Sequence, residues 1–289
     1  MAIKTAYFGF EVSDPQAWLR YGELIGFQPE ETEEGLFFRV DEKARRLQFV
    51  EGPSDDIAWL GWEAESVDAF ERLRRHLEAT GVATQDGDGP SARLRGVEHF
   101  FHFVDPNGVR FEIAIGLRDG PPFSSAKVPG GFRTGELGLG HAAFNSTDHL
   151  ADERFMREAL KANLSDYIHQ RMPDGSMMHA VFLHTNPRHH SVAFAEGLGA
   201  GSRLNHFELE LNEMADVGRV YERLQAAGVT IALSLGQHSN DGVVSFYALT
   251  PSKFMMEIGC HGIRIDDEES WKPTTYDRIS EWGHKFQLA

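Results

Sequence analysis

An internal repeat constrains this chain more than any other feature of its sequence. Strand-like KTAYFGFEV (4–12) runs into Ser13-Asp14 and an amphipathic stretch, and LGHAAFNST (139–147) runs into Asp148 and another. Helix-like FERLRRHLEATGV (70–82) is matched by VYERLQAAGV (220–229), each with a glycine where a helix would stop. Asp105-Pro106 and Glu112 are matched by Thr250-Pro251 and Glu257, with seven residues from the first position to the glutamate in both. The offset between copies is roughly 135 to 147 residues, so two similar halves account for the 289-residue chain.

Within each half, a strand, a helix and several short alternating strands occur and then recur. This order predicts an α+β fold in which antiparallel sheets curl around a cleft and carry helices outside. Asp14 is placed to cap the first helix, Pro15 to open it and Gly26 to end it. The breaker-rich stretch from Gly116 to Gly138 marks a boundary, predicting an N-terminal domain over 1–130 and a C-terminal domain over 131–289.

The two copies differ in their chemistry. Of 14 histidines, 11 lie from position 141 onward. The first copy has Tyr7 where His141 falls and no histidine in DDIAWLGWEAE (55–65) opposite His206, yet it keeps Glu112. A structural role common to both copies would not put histidine in only one. Strand alternation sets His141 and Ala143 on one face, with Ala142 and Phe144 on the other. Phe207, Leu209 and Leu211 form the apolar face of the second strand, which turns His206 toward the cleft. Glu257 follows Phe254-Met255-Met256 near a strand end, where a carboxylate is costly unless paired or bound to a metal. Two imidazoles and one carboxylate are the facial triad of non-haem Fe(II) enzymes.

Charge removes other classes of partner. At a formal net charge of -16 and a pI near 5.3, the chain repels phosphate backbones and anionic lipid surfaces, so neither nucleic acid nor membrane is expected. No apolar run could span a bilayer, the N-terminus has no charged-then-apolar leader pattern, and Cys260 alone cannot form an intramolecular disulfide. A cytoplasmic location is the expectation. Cys260 and His261 do not read as a nucleophile pair, since neighbours on a strand diverge, and GLGAG (197–201) reads as a turn rather than a phosphate loop.

Gly236-Gln237-His238, Phe246-Tyr247, Thr250-Pro251 and Glu257 together resemble the extradiol dioxygenase signature of the vicinal oxygen chelate superfamily. FLHTNPRHHSVAF (182–194) is similar to a segment of dihydroxybiphenyl-type enzymes, and DDIAWLGWE with FVDPNGVRFEIAIG carries the likeness into the first half. Lys253 departs from the signature, which has Gly or Pro there; this puts the turn beside Glu257 in question but removes no ligand. The resemblance implies paired βαβββ modules in each domain, an N-terminal domain without metal and a catalytic C-terminal one. It implies Fe(II), with Mn(II) less favoured, on His141, His206 and Glu257. O2 is then the co-substrate, a substituted or polycyclic catechol is cleaved beside its diol, and the protein is a homo-oligomer. It also implies His190 as the acid/base beside the O2 site, and His238 and Tyr247 as the pair that holds the catecholate oxygens.

Asn240 and Asp241, in the loop after His238, and Ala143 and Phe182 are candidate substrate-wall residues. His189 reads as structural, and His149, His169, His179 and His184 as surface or supporting residues. Two other functions fit the same fold: a glyoxalase-like lyase or epimerase, which needs a fourth protein ligand, and a ligand-sequestering protein, which lacks the triad.

Overall fold

A computed structural model of the chain describes residues 3–198 and 201–287. Four βαβββ units follow one another. The first comprises β1 (Ile3–Val12), α1 (Pro15–Ile25), β2 (Gln28–Thr32), β3 (Gly35–Arg39) and β4 (Leu47–Glu51). The second has β5 (Asp56–Ala64), α2 (Val67–Ala79), β6 (Gln85–Asp86), an added helix α3 (Gly89–Arg95), β7 (His99–Val104) and β8 (Arg110–Ile115). In the third come β9 (His141–Asn145), α4 (His149–Ala159), β10 (Asn163–Arg171), β11 (Met177–His184) and β12 (Val192–Glu196). The fourth holds β13 (Leu204–Glu210), α5 (Met214–Ala226), β14 (Ile231–His238), β15 (Val244–Leu249) and β16 (Met255–Cys260), and a tail adds β17 (Thr274–Tyr276) and β18 (Ser280–Trp282).

The first two units share one sheet in the order β2-β3-β4-β1-β5-β8-β7-β6, joined where β1 runs antiparallel to β5. The other two repeat the plan as β10-β11-β12-β9-β13-β16-β15-β14, with β9 antiparallel to β13 and the tail strands β17 and β18 at the two edges. The α+β fold expected from the repeat, and the paired modules that the resemblance implies, are observed, but each sheet is mixed rather than antiparallel, with β1 parallel to β4, β5 to β8, β9 to β12 and β13 to β16.

Local chemistry sets the helix ends. Asp14 accepts from the amide of Ala17, Pro15 opens α1, and Gly26 ends it at φ 110°. Asp148 caps α4 in the same way. Gly81 and Gly228, in the left-handed region at φ 86° and 75°, each follow a helix closed by the paired bonds of a Schellman turn. The helices start earlier than the sequence pattern suggested, because Ser66 caps α2 and Glu213 precedes α5.

The helix-bearing faces of the two sheets meet, so one core runs through both halves. Phe10 packs on Phe207 and Phe254 at ring-centre distances of 5.2 and 5.4 Å, and Trp18 of α1 donates to Ser252 Oγ. Arg223 of α5 donates to the carbonyl of Leu24 at the end of α1. Helices α1, α2, α4 and α5 therefore lie on the outer faces of the curled sheets, where α1 meets α5 and α2 meets α4. The opposite face of each sheet is left for other uses.

Lys253 shows what its departure from the signature costs. The turn Thr250-Pro251-Ser252-Lys253 holds its shape through bonds from Thr250 N to Phe254 O and from Lys253 N to Thr250 O. Lys253 does so at φ 75°, where the first copy has Gly108 at φ 80°. Glu257 is undisturbed. Relief of the left-handed lysine should outweigh the added freedom of the unfolded chain, so Lys253→Gly is expected to stabilise the protein by about 0.5–1 kcal/mol. Urea denaturation checks this, and a lowered midpoint would refute it.

Candidate metal centre and its cavity

The free face of the second sheet bounds a cavity of about 430 Å³. All ten residues singled out in the sequence line it: His141, Ala143, Phe182, His190, His206, His238, Asn240, Asp241, Tyr247 and Glu257. One end is polar, built from β9, β13, β15, β16 and the loop after β14. The other is apolar, with Ile168, Met172, Met178, Ala180, Ile279 and Phe286.

Register explains why three donors converge. β9, β13 and β16 are adjacent, with Glu208 opposite both His141 and Glu257 and His206 two residues before it, so alternation turns all three ligating types to one face. His141 Nε2 is 3.2 Å from His206 Nε2 and 3.5 Å from Glu257 Oε2, and His206 Nε2 is 3.4 Å from the same oxygen. Ligands held about 2.1 Å from one ion lie roughly 3.0–3.4 Å apart, so the triangle needs almost no adjustment. Glu257 lies within β16 rather than at its end.

The other ring atoms fix the tautomers. His141 Nδ1 is 3.1 Å from Glu208 Oε2, and His206 Nδ1 is 2.9 Å from Asn205 Oδ1, so each Nδ1 donates; His206 Nε2 turns a lone pair inward, and His141 Nε2 does the same once a metal cation displaces its proton. Facing lone pairs repel unless a cation lies between them. Burial alone would lower the basicity of His141, but Glu208 and Glu257 outweigh it and draw its pKa up to about 9. His206 is held neutral chiefly by burial, with a pKa near 3. Burial would raise the Glu257 carboxyl, yet His238 and His141 hold it well below the usual range. The donor set and its field fit one divalent ion.

Around this triangle stand two further groups. His190 lies in the loop before β12, its ring centre 3.9 Å from that of His141, and burial followed by the His141 charge keeps it well below the ordinary histidine range. A buried line leads to it: His189 Nε2 donates to Asp166 at 2.8 Å, and His189 Nδ1 lies 3.2 Å from His190 Nδ1. With His189 thus an acceptor at Nδ1, His190 carries its proton on Nδ1 and has its Nε2 lone pair free. On the other side, His238 Nε2 is 2.8 Å from Tyr247 Oη and 3.1 Å from Glu257 Oε1. Burial opposes a charge on His238, but Glu257 raises its pKa to about 9; burial also holds the Tyr247 proton in place.

Sequence reasoning missed several supports. Glu208 follows His206 by two residues, so alternation alone could have set it on the same face. Ser245 donates to Glu257 Oε1 at 2.6 Å, and His284 packs on His238 with ring centres 4.3 Å apart. Ile279 and Phe286 come from the tail, whose sequence has no periodicity to announce them. His184 is buried and bonded to Ser165 and Glu268, and His149, His169 and His179 form one cluster. Part of 197–201, read as a turn, lies outside the described residues.

Comparison with known proteins gives the family. Residues 138–258 match the Glyoxalase/Bleomycin resistance protein/Dioxygenase superfamily. The chain is 38% identical to 3-methylcatechol 2,3-dioxygenase of Pseudomonas putida over 98% of both chains. It is 37% identical to biphenyl-2,3-diol 1,2-dioxygenase of Paraburkholderia xenovorans, over 99% of this chain and 96% of that one. The crystal structure of a halotolerant catechol dioxygenase superposes with a TM-score of 0.91 at 35% identity, covering 99% of this chain and 95% of the other. The chain belongs to the extradiol ring-cleavage dioxygenases of this superfamily.

The first copy fills the same place differently. Tyr7, Trp59 and Glu112 stand where His141, His206 and Glu257 stand in the second copy, and helix α3 occupies the face that is open there. From α3, Arg95 donates to both oxygens of Glu112 at 2.5 and 2.7 Å and lies 4.2 Å from the Trp59 ring centre. Tyr7 also donates to Glu112, at 2.9 Å. A fixed guanidinium answers the buried carboxylate. Arg95→Met should cost about 3 kcal/mol in stability, the usual result of stranding a buried charge. If the denaturation midpoint does not move, Arg110 and Tyr7 suffice to neutralise Glu112.

Proposed function

We propose that this chain is an Fe(II)-dependent extradiol dioxygenase for catechols bearing an apolar substituent or fused ring. In this reading residues 131–289 form the catalytic domain, and residues 1–130 a domain without metal. The observation that carries the proposal is the convergence of His141 Nε2, His206 Nε2 and Glu257 Oε2 at the polar end of an otherwise apolar cavity. Such a set suits Fe(II) and leaves three coordination positions open, and one of the curated relatives, at 33% identity, is an iron-dependent extradiol dioxygenase. The bound ion would supply a path for electron density from catechol to O2. A glyoxalase-type site is not favoured, because the next carboxylate, Glu208, meets His141 from behind, at Nδ1.

The remaining residues hold the substrate and move protons. His190, neutral with Nε2 free, takes a catechol hydroxyl proton and later returns it as acid; its line to His189 and Asp166 fixes the ring for both transfers. His238, cationic beside Glu257, and Tyr247, protonated, donate to the catecholate oxygens and stabilise the ketone as it forms. Asn240 Nδ2 is buried without a partner and is free to meet the substrate, and Ile168, Met178 and Ala180 receive the substituent. Ala143 and Phe182 wall the polar end. Tyr247 is the only tyrosine among the described residues lining the cavity, which argues against a tyrosinate-ligated Fe(III) centre and intradiol chemistry. A reducing cytoplasm and a homo-oligomeric assembly belong to the same reading.

Anaerobic reconstitution with Fe(II) should give one iron per chain at this site. In air the enzyme should then turn 2,3-dihydroxybiphenyl into a yellow hydroxy-keto-dienoate whose colour fades with acid. A colourless muconate diacid would overturn the extradiol assignment. His141→Ala, His206→Ala and Glu257→Ala should each lose iron and turnover, and any variant that keeps both removes its residue from the ligand set.

His190→Gln should retain iron and catechol binding while kcat falls roughly 10²–10⁴-fold. Loss of iron from it would make His190 a ligand or scaffold residue instead.

A further inference from the structure

Behind the apolar wall of the cavity, three more histidines meet. His169 and His179 face each other across the β10–β11 ladder, with ring centres 4.7 Å apart. His149 opens α4 and lies over them, its ring nearly parallel to that of His179 at 5.5 Å. One ring nitrogen of each lies within 4.8 Å of the others. Strand alternation separates this cluster from the catechol cavity: Ile168, Met178, Ala180 and Ala195 face the cavity, while His169, His179 and Glu196 emerge on the other side.

The cluster is prepared as a ligand set. Glu196 Oε1 accepts from the backbone amide of His149 at 2.6 Å and lies 2.5 Å from its Nδ1. This carboxylate–histidine contact keeps the proton on Nδ1 and leaves Nε2 free, as in metal-bound histidines. His169 Nε2 and His179 Nδ1 are buried with no hydrogen-bond partner. Unpaired ring nitrogens are expensive to bury, and three neutral imidazoles without a direct carboxylate suit Zn(II), with water in the fourth position. The dipole of α4 opposes a cation at its N-terminus, and the carboxylates of Asp148, Asp152 and Glu196 lie near one another there to counter it. The edge of a tetrahedral zinc site is about 3.3 Å, and His169 and His179, half-buried rather than locked in the core, are the rings with room to close toward it.

We propose that His149, His169 and His179, supported by Glu196, form a second metal site selective for Zn(II) over Fe(II), tying α4 to the β10–β11 hairpin behind the substrate wall. Selectivity follows from the donors, since an all-imidazole set favours the later divalent ions. A bound ion stabilises the folded protein by mass action.

The test is to titrate the iron-loaded enzyme anaerobically with zinc sulfate against a chromogenic zinc chelator, then desalt and measure both metals. One equivalent of zinc is expected beside undiminished iron, with a higher melting temperature. His169→Asn with His179→Asn should abolish that equivalent without loss of iron, and Glu196→Gln should weaken it about 10–100-fold. X-ray absorption of the zinc-loaded wild type should show three imidazoles per zinc, a readout that holds even if the double variant fails to fold. No zinc uptake, uptake only as iron leaves, or a zinc spectrum without three imidazoles would each overturn the proposal.

Discussion

A carboxylate buried on the inner face of each sheet governs what that face can become. Glu112 and Glu257 occupy matching positions, both fully shielded from water, and a shielded charge must be answered nearby. In the first half the answer is an ion pair built into the chain: α3 lays Arg95 across Glu112, and the helix that delivers the guanidinium also fills the face. The second half has no such helix between β14 and β15. A short loop with Asn240 and Asp241 stands there instead, so imidazoles answer Glu257 and the face stays open. One insertion therefore separates a filled inner face from one with a cavity.

Much of this was legible in the residues, for identifiable reasons. The repeat exposed the fold because each copy carries its own strand, helix and turn signals, down to Asp14 and Asp148 as caps and Gly81 and Gly228 as stops. The candidate ligands stood out because the copies differ at Tyr7 and His141 against a shared glutamate. What stayed hidden depends on long-range pairing. Arg95 reads as an ordinary charge on a short helix until β8 is seen to bring Glu112 beneath it. His149 is 20 residues from His169, and nothing local shows that α4 lies over the β10–β11 ladder. The tail residues Ile279 and Phe286 sit in a segment with too little periodicity to assign a face.

The second sheet also illustrates how a strand with period two can serve two sites. Along β10 and β11, successive side chains alternate between the apolar wall of the cavity and the cluster under α4. Neither site contains the other's residues, yet they share a backbone. Anything that shifts the register of that hairpin by one residue exchanges the two sets, placing histidines in the cavity and Ile168 and Ala180 under the helix.

The tail strands add a property beyond substrate contact. Without the tail, the eight-stranded sheet from β10 to β14 would present two rows of unpaired amides and carbonyls, each a template for another chain to add to. Here β17 lies along β10 and β18 along β14, so residues from one short segment cap both borders of the second sheet. The same segment sends Ile279 and Phe286 inward. Trimming it would uncover sticky edges and unseal the cavity together, which links resistance to aggregation with the integrity of the pocket.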